Sequence, residues 1–148
     1  MPNTLFKKII FVTDFSAVSQ KAFTYALGIA AGNPGCELVI MHVVPEPGAQ
    51  FWKTYIYQMD KIDDKAKAAI DEKVRADYLS AIPAEVPHRV KMAVGNISIS
   101  ILETAHTEKA DLIVMGREGS GLLQSHFLGN ISGRMARKAP CPVLIIPE

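Results

Sequence analysis

Residues 110–132 read ADLIVMGREGSGLLQSHFLGNIS and join a short aliphatic run to a glycine-rich stretch and the start of a helix. The run Leu112–Met115 is typical of a strand that is covered on both faces. Four glycines lie between positions 115 and 130, and Asn130 then stands where a helix begins. A buried strand that leads through such a connection into a helix is the building unit of α/β folds.

The same alternation runs through the whole chain and predicts the order β-α-β-α-β-α-β-α-β. Strands connected by helical crossovers lie parallel, so the sequence predicts a doubly wound α/β sheet of five strands with helices on both faces. We find no repeat or linker and predict a single domain over residues 1–148. Strands are expected at Lys7–Asp14, Glu37–Val44, His88–Val94, 110–116 and 141–148, with a long helix at about Tyr57–Ile82. The third strand alternates apolar and polar residues after Pro87, which favours an edge position.

Composition excludes several classes of protein. The chain has 148 residues, 49% of them hydrophobic, which fits one domain with a sizeable core. Its formal net charge of +1 lacks the basic excess of a nucleic-acid binder. No apolar stretch is long enough to span a membrane and the N-terminus has no signal-peptide pattern, so we expect a cytoplasmic protein. Cys36 and Cys141 form no closely spaced pair of the kind used in metal and redox sites.

The carboxyl ends of the first and fourth strands are the expected position of a ligand. Ligands of such sheets bind beyond these ends, at the point where strand order reverses. Thr13 and Asp14 end the first strand, and Met115 and Gly116 end the fourth. Asp14 has a second interpretation, since it can equally cap the turn into the first helix. His42, inside an apolar strand, is interpreted as a hydrogen-bonded core histidine.

The glycine-rich stretch allows two interpretations. Gly116 and Gly119 permit close approach of the backbone to a bound group, and Gly129 precedes the last helix. The N–H groups of Asn130, Ile131 and Ser132 would then meet an anion such as phosphate. Alternatively, glycine ends the strand and Asn130 is an ordinary helix N-cap, with no ligand involved. Spacing alone does not separate the two interpretations, and the P-loop pattern is absent.

A family resemblance favours the nucleotide interpretation. The stretch GREGSGLLQSHFLGNIS resembles the signature of the universal stress protein family, which is glycine-x-x-glycine, nine residues, then glycine and serine or threonine. The similarity continues in IIFVTDFSAVSQKA, in MHVV at the end of the second strand, in KADLIVMG and in APCPVLIIP. It covers nearly the full length of the chain.

The resemblance implies a strand order of 3-2-1-4-5 and a site for ATP, or for ADP or AMP. It implies a homodimer, in which the last strand, Val143–Ile146, pairs with the last strand of the second copy. One residue departs from the pattern, since Asn130 occupies the position of the usual serine or threonine. The implied contacts are Thr13, Asp14, Val43 and Met115 around adenine, Gly116 and Gly119 along ribose and phosphate, and Gly129, Asn130, Ile131 and Ser132 at the phosphates, with a divalent metal (Mg or Mn) bridging them. Apart from the resemblance, the position of Arg117 allows two interpretations, a phosphate contact or plain exposure to solvent.

Three functions follow from these observations. The first is a stress-response signalling or regulatory module that binds ATP and interacts with an unidentified protein partner. The second is a dimeric interaction scaffold that has lost useful nucleotide binding through Asn130. The third is an enzyme, at most a slow ATPase, because the glycine-rich stretch lacks the lysine that phosphoryl-transfer sites generally provide. No nucleophile motif or metal-ligand cluster supports other catalysis.

Overall fold

A computed structural model describes residues 5–45, 59–117 and 131–148 of the chain. Within these residues, five strands alternate with four α-helices, as the sequence predicts. None of the described helices is long and apolar enough to cross a membrane. In chain order the elements are β1 (Lys8–Val12), α1 (Ala17–Ala31), β2 (Glu37–Pro45), α2 (Met59–Asp77), a 3-10 turn (Leu79–Ala81), β3 (His88–Gly95), α3 (Ile97–Thr107), β4 (Leu112–Gly116), α4 (Ile131–Lys138) and β5 (Val143–Ile146).

The strands form one parallel sheet in the order β3-β2-β1-β4-β5. This confirms the predicted order and the edge position of β3. In the centre of the sheet, Phe11 of β1 lies opposite Ile40 of β2 and Val114 of β4. β3 and β5 are the edge strands, and β1 is the central strand. It is flanked by β2 and β4, whose carboxyl ends contribute residues to the predicted site.

Each face of the sheet carries its own apolar core. One cluster joins Phe11 and its same-face neighbours to α1 through Phe23 and to α2 through Val74. The other cluster joins Ile10 and its same-face neighbours to α3 through Ile101 and to α4 through Met135. The buried strands therefore have helices on both faces, which explains their nearly continuous runs of aliphatic residues.

Side chains define where the helices begin. Ser16 precedes α1, and its hydroxyl oxygen accepts a hydrogen bond from the Ser19 N–H at 3.2 Å. Asn96 precedes α3 in the same way, accepting from the Ile99 N–H at 3.0 Å. Both residues satisfy a helix N–H that has no partner within the helix.

The second helix is shorter than predicted. We expected it to extend to about Ile82, but α2 ends at Asp77 and the chain tightens into the 3-10 turn. Ile82 is extended, with ψ at 123°, because the following Pro83 excludes the helical conformation from the residue before it. The early end of α2 places Tyr78 between two helical segments, with its side chain completely buried.

Four charged side chains connect the amino ends of three strands to the end of α3. Lys8 Nζ lies 3.0 Å from Glu108 Oε1 and 3.6 Å from Glu37 Oε1. Arg89 bonds the same two carboxylates, with its Nε 3.2 Å from Glu37 Oε2 and an Nη in contact with Glu108. We call this group, Lys8, Glu37, Arg89 and Glu108, the amino-edge charge ring. It lies at the opposite end of the sheet from the predicted ligand site.

Candidate functional site

The predicted adenine and ribose contacts lie at the carboxyl edge of the sheet. Val12, at the end of β1, is opposite Met115 of β4 on one side and Met41 of β2 on the other. The chain leaves β1 toward β2 and leaves β4 toward β5, so strand order reverses between β1 and β4. This confirms the topology on which the site prediction rests. The ligand contacts themselves stay predictions.

The structure divides the predicted adenine contacts between the two faces of the sheet. Val43 and Met115 are buried, at 5% and 6% exposure, in the cluster beneath α3 and α4, and Ile131 packs against that cluster. We call these three residues, which share one apolar cluster, the apolar floor. Thr13 is not part of this floor, because its side chain reaches Tyr78, which belongs to the cluster beneath α1 and α2.

Thr13 has all its polar groups engaged within the protein. Its N–H donates to the Met41 carbonyl at 2.9 Å, and its own carbonyl accepts from His42 Nδ1 at 2.8 Å. Its hydroxyl oxygen accepts from the Phe15 N–H at 2.9 Å and shares a short hydrogen bond with the Tyr78 hydroxyl. Since Thr13 is also only 2% exposed, it is suited to holding the turn that follows β1 rather than to recognising a ligand through its hydroxyl.

Asp14 has the capping role that the sequence allowed, and one of its oxygens has no partner among the described residues. Its Oδ1 accepts from the Ser16 N–H at 2.9 Å and from the Ser19 hydroxyl at 2.7 Å. No described residue bonds to Oδ2, and the side chain is exposed. Partial burial raises the pKa of Asp14, but the hydrogen bonds from Ser16 and Ser19 outweigh this effect and the pKa lies below its ordinary value. The carboxylate is therefore charged at neutral pH.

Phe15 gives the turn an unusual backbone conformation. Its φ of 64° lies in the left-handed region, which costs a residue with a Cβ about 1–2 kcal/mol. The surroundings hold it there, because its ring packs against His42 with centroids 4.7 Å apart and Lys73 Nζ lies 5.4 Å from its centroid. A carbonyl can only accept, so His42 carries its proton on Nδ1 when it bonds Thr13. This confirms the hydrogen bond predicted for His42, although the residue is half-buried and belongs to neither core cluster.

Tyr78, which has the largest of the fully buried side chains, was not predicted from the sequence. Its ring packs edge-on against Phe11 at 5.1 Å and lies 4.9 Å from Phe23. Burial raises the pKa of its hydroxyl to about 12, even though the hydrogen bond with Thr13 acts in the opposite direction. A spacing of four residues, from Ile70 through Val74 to Tyr78, could have placed Tyr78 in line with the buried stripe of α2. Nothing in the sequence indicates its hydrogen bond to Thr13.

Gly116 is needed for packing, whatever its role toward a ligand. A Cβ at this position would lie 2.9 Å and 3.0 Å from the two methyl carbons of Val18 and 3.1 Å from the Val18 carbonyl carbon. The end of β4 thus touches the first turn of α1 directly. The next residue, Arg117, is exposed, and its N–H donates to the Ile146 carbonyl at 2.7 Å.

The predicted phosphate contacts are only partly within the described residues. Gly119, Gly129 and Asn130 lie outside them. Ile131 and Ser132 begin α4, where Ser132 is 7% exposed. Residues 5–45, 59–117 and 131–148 contain no cluster of three or more side chains suited to a metal.

Comparison with known proteins agrees with the sequence and the fold. Residues 5–147 match the universal stress protein family. The chain is 34% identical to the "Universal stress protein in QAH/OAS sulfhydrylase 3'region" of Thermus aquaticus, over 96% of this chain and 99% of the relative. The fold is similar to that of universal stress protein UspA from Lactobacillus plantarum, with a TM-score of 0.73, 22% identity and coverage of 97% and 99% of the two chains.

Two further structures of similar fold are described with a nucleotide. One is a universal stress protein in complex with cAMP, with a TM-score of 0.64, 24% identity and coverage of 95% and 96%. The other is the Arabidopsis thaliana protein At3g01520 with AMP bound, with a TM-score of 0.58, 16% identity and coverage of 96% and 92%. The family match over nearly the whole sequence and the shared strand order lead to one conclusion: this chain belongs to the universal stress protein family.

Proposed function

We propose that the protein binds ATP, with ADP or AMP as alternative ligands, and acts as a stress-response signalling or regulatory module. The observation that carries the proposal is that an apolar floor and an exposed carboxylate both lie at the carboxyl edge of the sheet, where strand order reverses. Val43, Met115 and Ile131 form the floor, and Asp14 supplies the carboxylate. Two structures of similar fold with cAMP or AMP bound support an adenine nucleotide as the ligand.

In this proposal the base lies on the floor and the phosphates extend toward α4. Asp14 Oδ2 accepts a hydrogen bond from the amino group of adenine, since a carboxylate is an acceptor only. The positive end of the α4 dipole and the N–H groups at its first turn favour the phosphate charge. Gly116 and Gly119 line the ribose side and Arg117 approaches a phosphate, while Gly129, Asn130, Ile131 and Ser132 surround the phosphates, with Mg or Mn bridging them.

The first experiment identifies the natural ligand. Protein purified without added nucleotide is denatured, and the released small molecules are analysed by mass spectrometry. We expect ATP, ADP or AMP in stoichiometric amount, or a rise in melting temperature with Mg-ATP. A ligand at 100 times its Kd stabilises the native state by about 2.7 kcal/mol. Absence of both results would contradict nucleotide binding.

A matched pair of variants tests the role of Asp14. In Asp14→Asn, Oδ1 can still accept from Ser16 and Ser19, while the outward atom changes from an acceptor to an N–H donor. We expect ATP affinity to fall about tenfold, the effect of roughly one charge-assisted hydrogen bond. The control is Asp71→Asn on α2, where the side chain is exposed and affinity should not change. Equal affinity of Asp14→Asn and wild type would exclude this contact.

The edge strand β5 favours a second function, a dimeric interaction scaffold. β5 is the last strand of the sheet, and Val143, Leu144 and Ile145 are only half-buried. We propose a homodimer in which residues Val143–Ile146 pair with the same strand of a second copy. Asn130, in place of the family's hydroxyl residue, is the feature that would weaken triphosphate binding in such a scaffold. Sedimentation measurements give the oligomeric state, and the mass spectrometry above separates the two functions.

We further propose a cytoplasmic protein that interacts with an unidentified partner and has at most slow ATPase activity. The absence of lysine from residues 115–130 supports slow turnover, because no lysine charge there would neutralise a transferring phosphoryl group. Phosphate release measured over hours with Mg-ATP tests this directly. Rapid turnover that a substitution in the glycine-rich stretch abolishes would revive the enzyme hypothesis.

A further inference from the structure

The hydroxyl of Tyr78 lies one hydrogen bond away from the turn that carries Asp14. Tyr78 follows α2, 65 positions after Thr13, and its hydroxyl bonds the Thr13 hydroxyl. The Thr13 oxygen in turn accepts from the Phe15 N–H across the turn, at 2.9 Å. A continuous path of two hydrogen bonds therefore connects the end of α2 to the backbone on the far side of Asp14.

The same turn is fixed by two further contacts. His42 donates to the Thr13 carbonyl at 2.8 Å, and its ring packs against Phe15. The Tyr78 ring lies nearly parallel to that of Phe15, at 24° with centroids 6.2 Å apart. These contacts hold Phe15 in the left-handed conformation, a backbone state that a phenylalanine seldom adopts without such support. We call Thr13, Phe15, His42 and Tyr78 together the turn brace.

The direction of the Asp14 side chain depends on this brace. Asp14 lies between Thr13 and Phe15, so the backbone that carries its carboxylate is fixed on both sides. Its Oδ1 is held by the bonds from Ser16 and Ser19, which leaves Oδ2 without a partner among the described residues. If Thr13 lost its hydroxyl partner, the turn would have more freedom and Oδ2 would be less well placed for a ligand.

We propose that Tyr78 is a positioning residue for nucleotide binding, acting through the Thr13 hydroxyl and the turn brace on the carboxylate of Asp14. It does not touch the nucleotide. The inference rests on the function proposed above. It adds to the site a residue that directly follows α2 and lies on the face of the sheet opposite the apolar floor. It also predicts which part of the ligand is affected, since the influence of Tyr78 reaches the ligand only through Asp14.

The test is a double-mutant cycle in ATP affinity, measured by calorimetry on the full chain. Tyr78→Phe removes the hydroxyl and keeps the ring packing, and we expect it to weaken ATP binding about fivefold to tenfold. In the Asp14→Asn background the same change should have no further effect, because the contact it serves is already lost. Tyr25→Phe is the control, since Tyr25 on α1 is 47% exposed and should leave affinity unchanged.

Thr13→Val provides a second approach from the other end of the hydrogen bond. It should weaken ATP binding to a similar extent as Tyr78→Phe, and the two changes together should weaken it no more than either alone. Denaturant unfolding of each variant establishes that it is folded at the assay temperature. This variant keeps the test decisive if Tyr78→Phe proves too unstable to assay.

Two results would overturn the inference. One is unchanged ATP affinity in Tyr78→Phe, and the other is an equal loss in the wild-type and Asp14→Asn backgrounds, which is the result of a merely structural role. Both presuppose that wild-type protein binds ATP. If the wild type binds no adenine nucleotide, the proposed function itself is contradicted. The wild-type measurement therefore separates failure of the proposed function from failure of the role inferred for Tyr78.

Discussion

Substituting alanine for Gly116 should destabilise the fold through a single contact with Val18. The added Cβ would lie 2.9 Å and 3.0 Å from the Val18 methyl carbons, and 3.1 Å from its carbonyl carbon. Rotation of the valine side chain can move the methyl groups, but it cannot move the carbonyl carbon, which belongs to the first turn of α1. Overpacking of this kind typically costs 1–3 kcal/mol, so we expect a loss of about 2 kcal/mol in the free energy of unfolding.

The assay is equilibrium unfolding in urea, with thermal unfolding as a second measurement. A loss of about 2 kcal/mol lowers the urea midpoint at unchanged slope and lowers the melting temperature by about 4–8 °C in a domain of this size. Gly28→Ala is the matched control, since nothing lies within 4 Å of a Cβ at that position of α1. Because alanine favours a helix over glycine, this control should gain about 0.5–1 kcal/mol.

A second substitution locates the cause. Val18→Ala removes both methyl carbons that the new Cβ would meet, so Gly116→Ala should cost about 1 kcal/mol less in that background. Strictly additive losses would show that the strain arises elsewhere. If Gly116→Ala unfolds at the wild-type urea concentration but has lost ATP affinity, the packing argument is refuted, and the glycine is required by the ligand instead.

Three further predictions concern titration, ion pairing and backbone strain. The pKa of Tyr78 rises from 10.0 to about 12 on folding, so its contribution to the free energy of unfolding is complete below pH 10 and is lost as pH rises toward 12. In urea unfolding at alkaline pH the loss is at most about 1.4 kcal/mol per pH unit, and Tyr78→Phe should lack it. Glu108→Gln should lower stability by on the order of 1 kcal/mol in low salt and less in high salt, whereas Glu72→Gln, in an exposed pair, should change little. Phe15→Ala should be less stable than Phe15→Gly by about 1 kcal/mol in urea unfolding, because only alanine strains the left-handed backbone; equal stability would contradict that conformation.

The parallel sheet could be predicted because its signals are local. Buried strands such as β2 and β4 are continuous aliphatic runs, and caps such as Ser16 and Asn96 stand directly before their helices. The strand order 3-2-1-4-5 came from the family resemblance, because periodicity does not say which strands are neighbours. The structure confirms that order.

The inner part of the site could not be predicted, because it depends on contacts between distant residues. Thr13 was expected at the adenine, yet its hydroxyl is bonded to Tyr78, which lies 65 positions away. Gly116 was interpreted through a ligand, yet the structure gives it a close contact with Val18. The end of α2 was placed too late because the helical stripe of apolar residues continues past Asp77, and Pro83 excludes the helical conformation only from Ile82, directly before it.

The amino-edge charge ring has a consequence for how the strands align during folding. Lys8 and Glu37 are register partners in β1 and β2 and form an ion pair, and Lys8 also pairs with Glu108 while Glu37 also pairs with Arg89. A slip of β1 by one residue in the direction that brings Ile9 into the place of Lys8 would put an apolar side chain beside two carboxylates. Such a misaligned pairing would be destabilised at the first residue of β1. The amino-edge charge ring therefore favours the correct strand register more than it adds to the overall stability of the fold.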